Sequence, residues 1–117
     1  MSRPSAINHL AKHIPFLFPT RPASEREAHL YLDRALKAAA EERYDVALVF
    51  SRKALDVEPG NLAAQLLSAQ LYDHGLHDVD RAVEGYRHVI VLAGYDGSNR
   101  YCAAAKQALD ALVRDAP

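Results

Sequence analysis

An all-α fold of antiparallel helix pairs is what this sequence of 117 residues predicts, on three observations. Apolar residues recur at helical spacing in five successive segments. Alanine is abundant, tryptophan is absent and only 5 glycines occur, a mix that favours helices and leaves small contact points where helices cross. The chain also resembles itself at a shift of about 35 residues. With 50% of its residues apolar and 25% charged, it has the composition of a chain that folds, and its length suits one domain with one core.

Residues 1–23 read as a separate arm. Pro4, Pro15, Pro19 and Pro22 interrupt any long helix there, although Ser5 is placed to cap a short one carrying Ile7, Leu10, Ala11 and Ile14 on one face. Phe16, Leu17 and Phe18 follow and need a surface to cover. Ser24 and Glu27 have capping-box spacing, so a first helix is expected from there to about Glu42, with Tyr31, Ala35 and Ala38 on one face and Leu32, Leu36 and Ala39 on the next.

Val46, Ala47, Phe50, Ala54 and Val57 continue the period as a second helix, which Pro59-Gly60 stops. Asn61 caps a third helix holding Leu62, Leu66, Ala69 and Tyr72, expected to end near Gly75, where a left-handed residue is tolerated. Asp78 or a neighbour opens a fourth with Ala82, Val83, Tyr86, Val89 and Ile90, and the turn-forming run Gly94-Tyr95-Asp96-Gly97 closes it. Ser98 or Asn99 caps the fifth, which carries Tyr101, Ala105, Leu109 and Leu112. The helical domain is thus 24–117.

A shift of 35 superimposes Asp45 on Asp80, Ala47 on Ala82 and Arg52 on Arg87, so the second and fourth helices are copies. The first and third align better at 34, pairing Ala35 with Ala69 and Ala38 with Tyr72. The one-residue difference is expected in the loop around Gly75, Leu76 and His77.

A helical pair of about 34 residues is the period of the tetratricopeptide repeat, and Tyr44, Ala47, Ala54 and Pro59 stand at the spacing of that family's tyrosine, small residues and terminal proline. The chain resembles that family over residues 28–95: repeat 1 at about 28–61, repeat 2 at about 62–95 and a capping helix at about 98–113. Ser51, Arg34 and Glu42 depart from the pattern, replacing an aromatic, a leucine and the inter-helix glycine. The resemblance implies pairs stacked as a short right-handed superhelix whose concave face, made by the first helix of each pair, binds another protein. On this chain that face is Leu32, Leu36, Ala39, Leu66, Gln70 and Asp73, with Cys102 and Lys106 from the last helix.

This groove is largely apolar. Family members that clamp a C-terminal carboxylate place Lys, Asn and Arg there, so with Leu32 and Leu36 in those places carboxylate clamping is not expected. The expected role is a protein–protein interaction module, serving as an adaptor, co-chaperone or assembly scaffold; the alternative is a self-associating structural domain whose groove is filled by its own arm or by a second subunit in a homodimer. Two repeats bury their faces poorly without neighbours, which favours such a cover.

Other functions find little support. The net charge is -1 and the basic residues are dispersed, so no nucleic acid partner is expected. Charge is uneven: Arg3, Lys12 and Arg21 have no acid before Ser24, leaving the remainder at about -4. No apolar run is long enough to span a membrane, no secretory signal is expected from the first residues, and the single cysteine suits a reducing, cytoplasmic compartment. His74 and His77 stand among Asp73, Asp78 and Asp80, but their spacing crosses a helix end, and the pair His9 and His13 lacks the glutamate of a zinc hydrolase. Neither is expected to hold a metal. The run from Val89 to Ser98 imitates a strand entering a glycine-rich loop, but no second strand exists to pair with it. No cofactor and no enzymatic activity are expected.

Overall fold

The structure, a computed structural model, describes residues 23–115. Five α-helices follow one another: α1 (Ala23–Ala40), α2 (Tyr44–Val57), α3 (Leu62–Gln70), α4 (Val79–Leu92) and α5 (Arg100–Arg114). The fold is all-α, with neighbouring helices packed in pairs. The arm predicted over residues 1–23, His9 and His13 included, lies outside the described residues except for Ala23. That residue already belongs to α1, so Ser24 is inside the helix and not before it.

The caps form where the side chains allow. Asn61 Oδ1 accepts the Ala64 amide at 2.9 Å, Asp78 Oδ1 accepts that of Arg81 at 3.1 Å, and Asn99 Oδ1 accepts those of Tyr101 and Cys102 at 2.9 and 3.1 Å. Before α5, the Ser98 amide and hydroxyl both donate to Asp96, at 2.9 and 2.6 Å, and hold its carboxyl below the usual range.

The internal repeat is visible in the geometry. α2 and α4 are each 14 residues long, and their ends coincide when one is shifted by 35. Ala47 and Ala82, Ser51 and Tyr86, and Ala54 and Val89 are equivalent pairs at that shift, and all six are fully buried. Glu42 and His77, also 35 apart, both have left-handed backbone, with φ of 59° and 54°. The turn between the helices of each pair is therefore the same.

That equivalence moves the extra residue out of the loop where the sequence comparison puts it. Residues Leu71–Gly75 form a π-helical turn that continues α3, with the Leu76 amide bonded to the Leu71 carbonyl at 2.8 Å. A π turn contains one residue more than the α turn it replaces. The insertion is taken up inside the helix, between Ala69 and His77, because helical backbone bonding is retained while the turn at His77 keeps its shape. Gly75 does not supply the left-handed residue either. Its missing side chain instead admits the Tyr44 ring, since a Cβ there would lie 2.6 Å from Tyr44 Cγ.

The core is largely alanine at the helix crossings. Ala35, Ala38, Ala47, Leu48, Leu67 and Leu71 join α1, α2 and α3, while Leu66, Ala69, Tyr86, Val89, Ile90 and Cys102 join α3, α4 and α5. Ser51 stands where the resemblance leads one to expect an aromatic. It faces Ser68, with the two hydroxyl oxygens 2.8 Å apart, and each also approaches a carbonyl of its own helix, so α2 and α3 meet through a small satisfied polar pair. Arg34, in place of a leucine, lies over the Phe50 ring with Cζ 6.0 Å from its centroid.

Glu42 stands where the resemblance leads one to expect glycine, and it shows the cost of the exchange. A left-handed backbone costs a side-chain-bearing residue about 1–2 kcal/mol, and glycine's greater freedom in the unfolded chain returns about 0.4–1 kcal/mol of that advantage. Glu42→Gly is therefore expected to stabilise the fold by about 0.5–1 kcal/mol, read as a higher urea midpoint at unchanged slope. A lower midpoint contradicts the strain.

Candidate functional site

A cleft of about 840 Å³ opens between α1 and the first turns of α3 and α5. Glu25, His29, Leu32 and Leu36 lie on one face of α1, three or four residues apart, and line it from one end to the other. Leu62 and Ala63 from α3 and Tyr101 from α5 complete an apolar wall. Leu36 is 51% exposed, although it is a large apolar side chain. Leu32 is half-buried.

The rim is polar and partly fixed. Asn61 caps α3 with its oxygen and donates from its nitrogen to Glu58 Oε1 at 2.7 Å, holding that carboxylate at the cleft edge. Arg100 borders the same cleft; its guanidinium lies over the Tyr101 ring, 4.9 Å from its centroid, and donates to Tyr101 Oη at 2.9 Å. That hydrogen bond raises the Arg100 pKa further, and as arginine is charged at any ordinary pH the lining carries a cation beside the carboxylates of Glu25 and Glu58.

No family model, curated protein or solved structure matches this chain.

The groove residues expected from the sequence divide among three environments. Leu32 and Leu36 line the cleft. Gln70 and Asp73 line a second hollow of about 410 Å³, whose other wall is Ala104, Ala108 and Leu112 of α5. Lys106 is exposed and borders neither hollow, and Ala39 is half-buried against the α1–α2 core. Leu66 and Cys102 are a correction: both are buried in the core shared by α3, α4 and α5. α3 is enclosed by α4 and α5 together, so a face that would be open on an isolated helix pair is interior here.

The cleft residues the sequence reading passed over are Leu62, Ala63 and Tyr101, with Glu58 and Arg100 at the rim. A signal for them existed. Leu62 and Tyr101 are the first large apolar residues after the caps Asn61 and Asn99, and the first turn of a helix is where its side chains project past the neighbour that covers the middle.

Asp73 lies on the π turn and accepts a hydrogen bond from Tyr86 Oη at 2.9 Å, with His74 Nε2 3.5 Å from the same carboxylate oxygen. Burial, then the hydrogen bond to Asp73 and its charge, push the Tyr86 pKa well above its ordinary value. Tyr86 is thus a neutral donor that ties α4 to the π turn. Among the described residues no group of three or more His, Cys, Asp or Glu is placed to hold a metal ion, and no helix is long and apolar enough to cross a membrane.

Proposed function

We propose that this chain is a protein-interaction module of tetratricopeptide type, an adaptor, co-chaperone or assembly scaffold, which takes an apolar peptide or helix of another protein in the cleft between α1, α3 and α5. The observation that carries this reading is the half-exposed Leu36 on an apolar wall framed by Glu58 and Arg100. Exposed apolar surface within a polar rim is the usual form of a protein contact, since the wall supplies burial and the rim supplies orientation. The family assignment draws its support from the 35-residue repeat of helix ends and turns. In this reading the protein works in the cytoplasm, has no cofactor and catalyses nothing.

Leu36→Asp is the decisive substitution, because a residue this exposed tolerates a charge with a stability change within about 0.5 kcal/mol. Capture of the partner is expected to fall at least about tenfold, as one central apolar anchor commonly carries 2 kcal/mol or more. Equal capture by the two proteins at matched melting temperature sinks the cleft as the site. Leu66→Asp does not serve the same purpose, because burying its carboxylate unfolds the core.

A second reading has the cleft filled by residues of the arm or by a second copy in a homodimer. One position favours the arm: the chain enters α1 at Ala23, two residues before Glu25 on the cleft wall. Light scattering after size exclusion separates the cases. A full-length monomer that associates once residues 1–19 are removed supports a cover in cis, and a dimer in both forms supports a subunit interface.

A further inference from the structure

We propose that a hollow between α2, α3 and α4, separate from the cleft, is an oxyanion site that takes a phosphate monoester. It measures about 350 Å³ and is bordered by Arg52 of α2, Gln65 and Tyr72 of the α3 segment, and Arg81, Glu84 and His88 of α4. Its unusual feature is that two guanidinium groups flank one tyrosine, Arg52 at the Tyr72 hydroxyl and Arg81 beside the ring. Arg52 Cζ lies 6.0 Å and Arg81 Cζ 5.8 Å from the Tyr72 centroid, so the two charges stand within about 12 Å of each other. Arg52 also donates to Tyr72 Oη.

These cations are poorly neutralised. Among the described residues no carboxylate lies within 4.0 Å of the Arg52 guanidinium, and Arg81 has only Asp78 at 3.6 Å, on a side chain 66% exposed. An ion pair that exposed contributes little. Glu84 borders the hollow but is within 4.0 Å of neither guanidinium. The Tyr72 ring offers Arg81 about 0.5–1 kcal/mol at so exposed a site, and it neutralises neither charge.

A phosphate monoester matches what remains. Near neutral pH it carries about 1.5 to 2 negative charges, the charge of the two arginines reversed, and three oxygens to receive their N–H groups. Arg52 retains donors beyond the one given to Tyr72, Arg81 retains its fork, and the Gln65 amide and a His88 ring N–H add further donors. A carboxylate offers half the charge. A nucleic acid backbone needs a longer basic stripe than this hollow provides.

The test is a titration of the full chain with inorganic phosphate near neutral pH and constant ionic strength, following the arginine Nε–Hε resonances by NMR. Saturable shifts are expected at Arg52 and Arg81 and not at Arg87, the exposed repeat equivalent of Arg52. Arg52→Gln or Arg81→Gln is expected to weaken binding about tenfold, and Arg87→Gln to leave it unchanged. Glu84→Gln removes the carboxylate that borders the hollow and is expected to tighten binding several-fold, a gain that misfolding cannot imitate. A phosphoserine peptide binding more tightly than the free ion identifies the source as a phosphorylated chain, and weaker binding identifies a small phosphate; both retain the site. Uniform shifts across all arginines, or no gain from Glu84→Gln, overturn it. The outcome is independent of the cleft, which Leu36→Asp probes on its own.

Discussion

Tyr86→Ala is expected to cost about 4 kcal/mol and to lower the melting temperature by about 15–30 °C. In a core made largely of alanine, each buried methyl contributes about 0.8 kcal/mol, so the few large side chains carry a disproportionate share of the burial. Tyr86 is the largest of those that are fully buried, and its ring occupies the junction of α3, α4 and α5. Truncation leaves a cavity that three helices cannot close together. It also takes the hydroxyl donor from Asp73, whose side chain is only 13% exposed. Tyr86→Phe separates the two effects, keeping the ring and losing the hydrogen bond, and is expected to cost about 1.5 kcal/mol. The pH dependence follows from the raised pKa. Unfolded tyrosine ionises near 10 and buried Tyr86 does so higher, so its contribution is complete below pH 10 and declines as pH rises beyond it. Urea midpoints measured from about pH 8 to pH 11 should fall more steeply for the wild type than for Tyr86→Phe. Parallel curves would place the hydroxyl in contact with water.

The parts of the fold that the sequence makes legible are those governed by local chemistry. Asn61, Asp78 and Asn99 cap helices because a side-chain oxygen one residue before a helix has orphan amides within reach, whatever the tertiary structure. The repeat of α2 in α4 is legible because both copies bury the same positions. The π turn at Leu71–Gly75 is not, since a one-residue insertion looks the same in sequence whether it lengthens a loop or widens a helical turn. What decides is a hydrogen bond from Leu76 to Leu71, and apolar periodicity does not encode it. The cleft was half legible. Leu32 and Leu36 line the cleft from the face of α1, an outer helix with one covered side, whereas Leu66 and Cys102 lie where α3, α4 and α5 enclose each other, and only the stacking of the last helix shows that this face is closed. The arginine pair on Tyr72 was beyond reach, because residues 52 and 81 meet there through tertiary packing alone.

Gly85 sets helix propensity against packing, and packing should win. A glycine inside α4 costs about 0.5–1 kcal/mol relative to alanine, so propensity alone makes Gly85→Ala stabilising. A Cβ at that position would lie 2.8 Å from Ala69 Cβ and 3.2 Å from Ala69 Cα. Neither atom is the end of a flexible side chain, so relief requires α3 and α4 to move apart, and overpacking of this kind costs about 1–3 kcal/mol. Gly85→Ala is therefore expected to destabilise by about 1 kcal/mol, and Gly85→Val by about 3 kcal/mol, because β-branching adds bulk and restricts the helix. Ala69→Gly, which removes the opposing methyl, should recover most of the loss in the double variant with Gly85→Ala, giving a coupling of about 1 kcal/mol. Gly60→Ala is the control. A Cβ there meets nothing within 4 Å and the backbone is not left-handed, so that exchange should be neutral or stabilising by up to about 1 kcal/mol. If Gly85→Ala behaves like Gly60→Ala in thermal melts, the close approach of α3 and α4 at Ala69 is not what holds the second helix pair together.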